Sequence, residues 1–336
     1  MFTTIKELCC LNGTSGRENA VREYIISKIG THPCTVDNLG NLIVEVKGRK
    51  TAKNKVVVAA HMDEVGFIAT YICDNGFIKF DTVGGIVPAV LSGRKIVFEN
   101  GTNGVICSKP VHLSSDDEKN TLLTEDKLYI DIGAKDKKDA MKYVLPGDSA
   151  VFIPDFKELG EKLLSKALDD RIGCAIMLKM IEEGPEYDTV FIFTVQEEVG
   201  LRGAGAAVTR VDPDFAVVLE ATTAADIAGV PSDKKVCVQG EGAVISFMDN
   251  STVYDRELFR KALEKGGENG IKVQVKSAVA GGNDSGIIHK SAGGVRTLAI
   301  SAPCRYIHSP SSVIEKDDIV SCFRLAKTMT EYMANA

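Results

Sequence analysis

The stretch KVVVAAHMDEVGF, Lys55 to Phe67, decides the fold. Its first half is an unbroken apolar run. A strand reads that way when helices cover both faces of its sheet, as in parallel sheets. The run ends on His61 and Asp63, which alternate and so share one face of an extended segment. Upstream, Thr3–Leu11 and Arg17–Ile29 have helical apolar spacing, Ser15 is placed to cap the second helix, and NLGNLIVEVKG reads as a turn and a strand. Downstream of Gly66 the texture changes. Short runs (FIATYI, FIKFD, KIVFE, KLYIDI, SAVFIP) alternate with turn signals (DNG, ENGTNG, LPGD), and no long amphipathic helix interrupts them before Asp155. This reads as an all-β insert, a small barrel or sandwich. The charged stretch Ser114–Asp126 reads as an exposed loop within it.

From Phe156 the alternation of helix and strand returns. Asp169–Glu183 carries Ile172, Ala175, Ile176 and Met180 on one helical face. Strand Val190–Val195, a helix from Gly203 and strand Phe215–Leu219 follow. Next come helix Tyr254–Lys265, strand Lys272–Val279, a helix from Ser285, strand Arg296–Ile300 and a closing helix from Ile314. The 336 residues are expected to form one α/β domain, 1–66 and 156–336, with a β domain inserted at 67–155.

Composition excludes several classes. A net charge of −6 without a basic stripe or arginine-rich tail argues against nucleic acid as a partner. No apolar run is long enough for a membrane span. The N-terminus lacks a basic region followed by a long apolar stretch, so a cleaved signal peptide is not expected. Nine cysteines, an odd number with no CxxC pair, suit free thiols in a reducing cytoplasm better than a disulfide framework.

Five polar clusters sit at or just after expected strand ends or at a helix start: AAHMDEVG, KALDDRIG, QEEVG, VVLEAT and PCRYIHSP. Singly, each has an ordinary explanation. Asp169 and Asp170 alone read as a helix N-cap, a strand-end carboxylate usually faces solvent, and a lone histidine is more often a core or surface residue than a ligand. Together they occupy the edge of an α/β sheet where ligands bind. They supply two histidines and several carboxylates, a donor set suited to zinc, cobalt or manganese. Asp169, Glu198, Glu220 and one hydroxide would balance two divalent cations. That leaves Glu197 free to handle protons.

In these residues the chain resembles the cocatalytic metallo-aminopeptidases of the M42 type, the tetrahedral or TET aminopeptidases. HMDEVG, ALDDR, QEEVGLRGA, GGNDSG and RYIHSP occur in family order, with the β insert between the first two. The resemblance covers nearly the whole length. It implies a zinc-peptidase-like α/β/α sandwich, with the insert as dimerisation domain. It also implies two divalent ions, zinc or cobalt with manganese as a further choice. His61 would ligate one ion, with Asp63 orienting it, and Asp169 would bridge. Glu197 would be the general base, Glu198 and His308 ligands of the second ion, and Glu220 the remaining ligand of the first. Many relatives have aspartate in that last slot, so the longer glutamate requires an adjusted backbone or rotamer. Gly281, Gly282 and Asp284 of GGNDSG would lie on the substrate side. The implied reaction is removal of N-terminal residues from short peptides, by dimers that assemble into a hollow dodecamer.

Four other readings compete. GAGAAV invites a dinucleotide site, but Val208 replaces the third glycine and the acidic strand end would repel a pyrophosphate. Its glycines serve better to bring a helix close to the sheet. Cys304 near His308 invites a thiol hydrolase. A glycosidase needs two opposed carboxylates and typically aromatic platforms, and the chain has no tryptophan. A non-catalytic peptide binder should have lost a ligand or the base, and every position is filled.

Overall fold

The computed structural model describes residues 1–113, 115 and 123–336. Of the charged stretch Ser114–Asp126, residues 114 and 116–122 lie outside the described residues. The strands ahead of the insert are β1 (Cys34–Val36), β2 (Leu42–Val46) and β3 (Val56–His61). Those of the insert are β4 (Gly66–Ile72), β5 (Ile78–Val83), β6 (Lys95–Phe98), β7 (Asn103–Ser108), β8 (Leu128–Asp131) and β9 (Ser149–Phe152). After it come β10 (Lys157–Leu159), β11 (Lys162–Ser165), β12 (Thr189–Thr194), β13 (Phe215–Thr223), β14 (Ala243–Ile245), β15 (Val273–Val275), β16 (Arg296–Arg305) and β17 (Ser312–Glu315).

The central sheet has 11 strands, in the order β1-β2-β12-β3-β13-β16-β17-β11-β10, with β14 paired to β16 and β15 to β14. The apolar run of β3 explains its place near the middle. Val56, Val58 and Ala60 pack into the large core formed with the helices Phe2–Cys9, Asn19–Lys28, Leu168–Glu183 and Lys316–Asn335. Val57 and Ala59 face the other way, onto Ala204, Ala207 and Val208 of the helix Arg202–Val211. Strand alternation thus feeds two helical layers, an α/β/α sandwich.

Strands β12, β3, β13 and β16 run parallel, with Thr194 beside His61 and Glu220 beside Ser301. Their carboxyl ends therefore lie along one edge. The insert closes as a six-stranded barrel, β4-β5-β8-β7-β6-β9. Phe67 fills it edge-on to Phe80 and Phe152, with centroids 5.5 and 5.1 Å away.

Several elements differ from expectation. The strand placed at Lys272–Val279 is only Val273–Val275. Past it Lys276 N–H still donates to Ile245 of β14, and the backbone changes neighbour at Ser277, whose N–H donates to Val236. The helix from Ser285 is one turn, Ser285–Ile288. β16 runs on to Arg305, and Ser312–Glu315 is a strand between β16 and β11 instead of the start of the closing helix, which begins at Lys316. Ser15 does not cap the second helix; its hydroxyl donates to Asp63. No helix among the described residues is long and apolar enough to cross a membrane.

Candidate metal centre

His61, the last residue of β3, is buried. Its Nδ1 lies 3.1 Å from the Asp63 carbonyl oxygen and 3.5 Å from the Asp63 carboxylate. Its Nε2 faces the opposite way, 3.4 Å from Asp169 Oδ1 and 3.8 Å from Glu220 Oε2. His308, in the turn after β16, has Nδ1 2.7 Å from the Gly85 carbonyl of the barrel. Its Nε2 is 3.4 Å from Asp169 Oδ2 and 3.3 Å from Glu198 Oε2. Asp169 therefore turns one oxygen to each histidine. A ring that donates from Nδ1 to a carbonyl keeps a lone pair on Nε2, the atom that faces the carboxylates here.

The paired glutamates follow β12, and Asp63 holds the turn that carries them. Its carboxylate accepts the N–H groups of Glu197 and Glu198, each at 3.1 Å, and the Ser15 hydroxyl at 2.7 Å. Gln196 just before them has φ +56°, and its N–H donates to the buried Glu18 at 3.2 Å. Left-handed backbone also occurs at Ala167, Leu201, Tyr306 and His308. Such positions store strain and concentrate at functional sites.

Burial of so many acids has electrostatic consequences. Desolvation pushes Glu197, Glu220 and Asp170 well above the usual carboxylate range, with neighbouring acids adding to it. Glu198 is raised to about 7, by burial first and then by Asp169. For His308, burial opposes the charged ring, but the Asp169 hydrogen bond and the Glu198 charge prevail and raise it to about 9. Burial likewise opposes the Asp169 carboxylate, which the two histidines hold low.

The donor set fits divalent cations. Asp169 Oδ1, Asp170 Oδ2 and Glu220 Oε1 are buried without a hydrogen-bond partner. Such orphaned oxygens are expensive unless something else meets them. Ligand atoms of His61, Asp170 and Glu220 lie within 4.8 Å of one another, as do those of His61, Asp169 and Glu198. Asp170 had only the cap reading from sequence. It does cap, accepting from Gly173 N–H at 3.0 Å, and its second oxygen is one of the orphans. Its signal was the doublet LDDR. The signals for Ser15, Glu18 and Gly85 were absent, because each acts on a residue far along the chain.

Asp169, Glu198, Glu220 and His308 border a cleft of about 490 Å³, lined also by Glu197, Leu201, Thr222, Thr223, Ser246, Lys276 and Asn283. Gly281 and Gly282 also line it. Asp284 does not. It is 1 % exposed and accepts the Thr194 hydroxyl at 2.5 Å, bracing the end of β12 from behind. Cys304 is fully buried and its thiol is pushed up by burial, the reverse of an activated nucleophile. Gly203 sits so close to the sheet that a Cβ there would meet the Val195 carbonyl at 2.3 Å, which accounts for the glycines of GAGAAV.

The profile of the M42 glutamyl aminopeptidase family matches residues 40–325. A protein of Acetivibrio thermocellus named as an aminopeptidase is 40% identical over 330 residues, 97% of either chain. Among solved structures, aminopeptidase APDkam598 of Desulfurococcus kamchatkensis superposes with a TM-score of 0.93 at 32% identity, covering 98% of this chain and 94% of that one. The TET1 peptidase of Pyrococcus horikoshii, which can assemble into a tetrahedron or a large octahedral shell, gives a TM-score of 0.86 at 34% identity over 98% of each chain. The chain belongs to the M42 aminopeptidase family and is a hydrolase.

Proposed function

We propose that the protein is a dinuclear metal-dependent aminopeptidase that removes N-terminal residues from short peptides. The observation that carries this is Asp169, whose two oxygens each face Nε2 of a different histidine. In this reading His61, Asp169 and Glu220 hold one cation, and Asp169, Glu198 and His308 the other. Zinc or cobalt suits these donors, and manganese also fits. Bound there, two divalent cations supply Lewis acidity and bring the pKa of water down towards neutrality.

The chain's own residues do the rest. Glu197 borders the cleft, has no histidine partner among the ion pairs of the described residues, and is held with a high proton affinity by burial. That suits a general base that takes a proton from the attacking water and returns it to the leaving amine. Asp63 fixes the backbone from which Glu197 and Glu198 diverge, and through its carbonyl it orients His61. The acid-rich edge of the cleft would receive a free α-amino group, which restricts cleavage to N-terminal residues.

We further infer that the barrel, 67–155, is a dimerisation domain and that dimers assemble into a tetrahedral dodecamer. Support comes from the TET1 peptidase, which builds closed shells from a similar chain. Free thiols at all nine cysteines favour the cytoplasm.

The test is hydrolysis of aminoacyl-p-nitroanilides before and after chelation, beside a carboxymethyl-cellulose assay. We expect anilide cleavage that chelator abolishes and zinc or cobalt restores. Glu197→Gln should keep its metal and lose about 10²–10⁴ in kcat. Cleavage of cellulose alone, indifferent to chelator, overturns the reading.

A further inference from the structure

β12 stops at Thr194, and side chains from far upstream receive the backbone N–H groups that follow it. Asn41 Oδ1 accepts from Val195 at 3.0 Å, Glu18 Oε1 from Gln196 at 3.2 Å, and Asp63 from Glu197 and Glu198. The turn that delivers the paired glutamates is held from outside itself. One position in it stands apart. Gln196 alone among Val195–Glu198 has positive φ, at +56°, backbone that is unfavourable for a residue with a Cβ. Its partner Glu18 is 3 % exposed and precedes the helix Asn19–Lys28. The same Glu18 Oε1 also accepts Gly16 N–H at 2.6 Å, and the Glu18 carbonyl accepts Arg22 N–H at 3.0 Å. Its carboxylate is therefore fixed by its own turn and its backbone by the helix.

A carboxylate accepts an N–H more strongly than a carbonyl does, and more so when both are drawn out of water. That bond offsets the strain at Gln196. Without it the backbone could relax towards an ordinary φ, and every Cα–Cβ direction after Gln196 would swing. Asp63 would still hold the N–H groups of Glu197 and Glu198, but it does not set the angle at which the chain enters the turn. We propose that Glu18 is a positioning residue of the reaction. It locks Gln196 in the left-handed conformation that turns Glu197 to the cleft and Glu198 to His308, 3.3 Å away. Glu18 does not line the cleft itself, so it acts only through that turn. The inference rests on the aminopeptidase reading, with Glu197 as base.

The experiment measures kcat and KM at saturating zinc or cobalt, on whichever of Ala-, Leu-, Lys- and Glu-p-nitroanilide the wild type cleaves fastest. Circular dichroism equal to wild type certifies each fold. Glu18→Ala should lower kcat about 100-fold, the scale of misplacing a catalytic group by about an ångström, and change KM less than about threefold. Glu18→Gln keeps an acceptor oxygen and should recover to within roughly fivefold of wild type. Glycine adopts positive φ without strain. In a Gln196→Gly background, therefore, the same Glu18→Ala change should cost about tenfold or less. Where Glu18→Ala does not fold, Glu18→Asp, one methylene short of Gln196, takes its place in both backgrounds. An unchanged kcat, a Glu18→Gln variant as impaired as Glu18→Ala, or equal losses with and without Gln196→Gly would each overturn the inference. In those cases the wild type still turns over and the aminopeptidase reading survives. A wild type inert on every anilide overturns both.

Discussion

Two clusters of buried charge lie side by side in this molecule, and neighbouring residues in the chain serve different ones. Asp63 belongs to the candidate metal centre, Glu64 to a closed triad. Asp170 belongs to the first, Arg171 to the second. In the triad, Glu64 takes Lys166 Nζ at 2.7 and 2.8 Å and Arg171 at 3.1 Å. Lys166 also donates to the Leu11 carbonyl at 2.9 Å and Arg171 to that of Leu8 at 2.6 Å. Only Arg171 Nε is left over. The candidate metal centre has the opposite bookkeeping: more acids than cations, and orphan oxygens on three of them. Buried charge that the protein completes for itself is architecture. Buried charge left open is receptive. The open cluster is built directly against the closed one, which gives it a rigid floor.

That distinction can be broken by mutation. The largest effect should come from Asp169→Asn, which removes the carboxylate shared by both histidines. We expect loss of bound metal and at least about a 10³-fold fall in kcat/KM, the scale seen when one member of a catalytic unit is lost. Its metal-free form should be less stable than the metal-free wild type near neutral pH, since it loses the carboxylate that both histidines hold in its charged form. Elemental analysis and urea unfolding check both halves. Next is Glu64→Gln, which strands two buried cations and should cost roughly 3–5 kcal/mol of stability. The loss should appear with and without metal; a loss confined to the metal-loaded form would erase the difference between the clusters.

Ser15→Ala tests the layer between them. Removing the hydroxyl from Asp63 should weaken metal affinity about 10- to 100-fold, with Ser15→Thr restoring most of it. The smallest effect concerns pH. In the metal-free chain His308 sits at about 9, above its ordinary value near 6.5. The stabilisation it draws from Asp169 and Glu198 is therefore complete below about 6.5 and lost as pH climbs to about 9. Glu198, raised to about 7, acts in the same direction at lower pH, because the folded chain holds that proton more tightly. The Tm of chelated protein should fall between pH 6 and 9, while metal-loaded protein stays flatter. A rising Tm would contradict the charge assignments.

What the sequence disclosed follows from the same physics. β3, β12, β13 and β16 were legible because strands buried on both faces read as apolar runs. β10, β11 and β17 were not, since such short strands take their identity from partners elsewhere in the chain. The candidate ligands announced themselves as polar residues where apolar strands stop. Their supports did not. Ser15 reaches across 48 positions to Asp63, Glu18 across 178 to Gln196, and Gly85 across 223 to His308. No local pattern encodes such approaches. Asp284 misled for a related reason, since a glycine-rich turn suggests exposure while its side chain is turned inward onto Thr194.

The Gly85 carbonyl gives the barrel a second occupation. By accepting from His308 it makes one ring's tautomer depend on a loop of the inserted unit. The insert is then a lever as well as a spacer. A chain cut back to its sheet would keep His61 properly turned and leave His308 free to protonate on the wrong side.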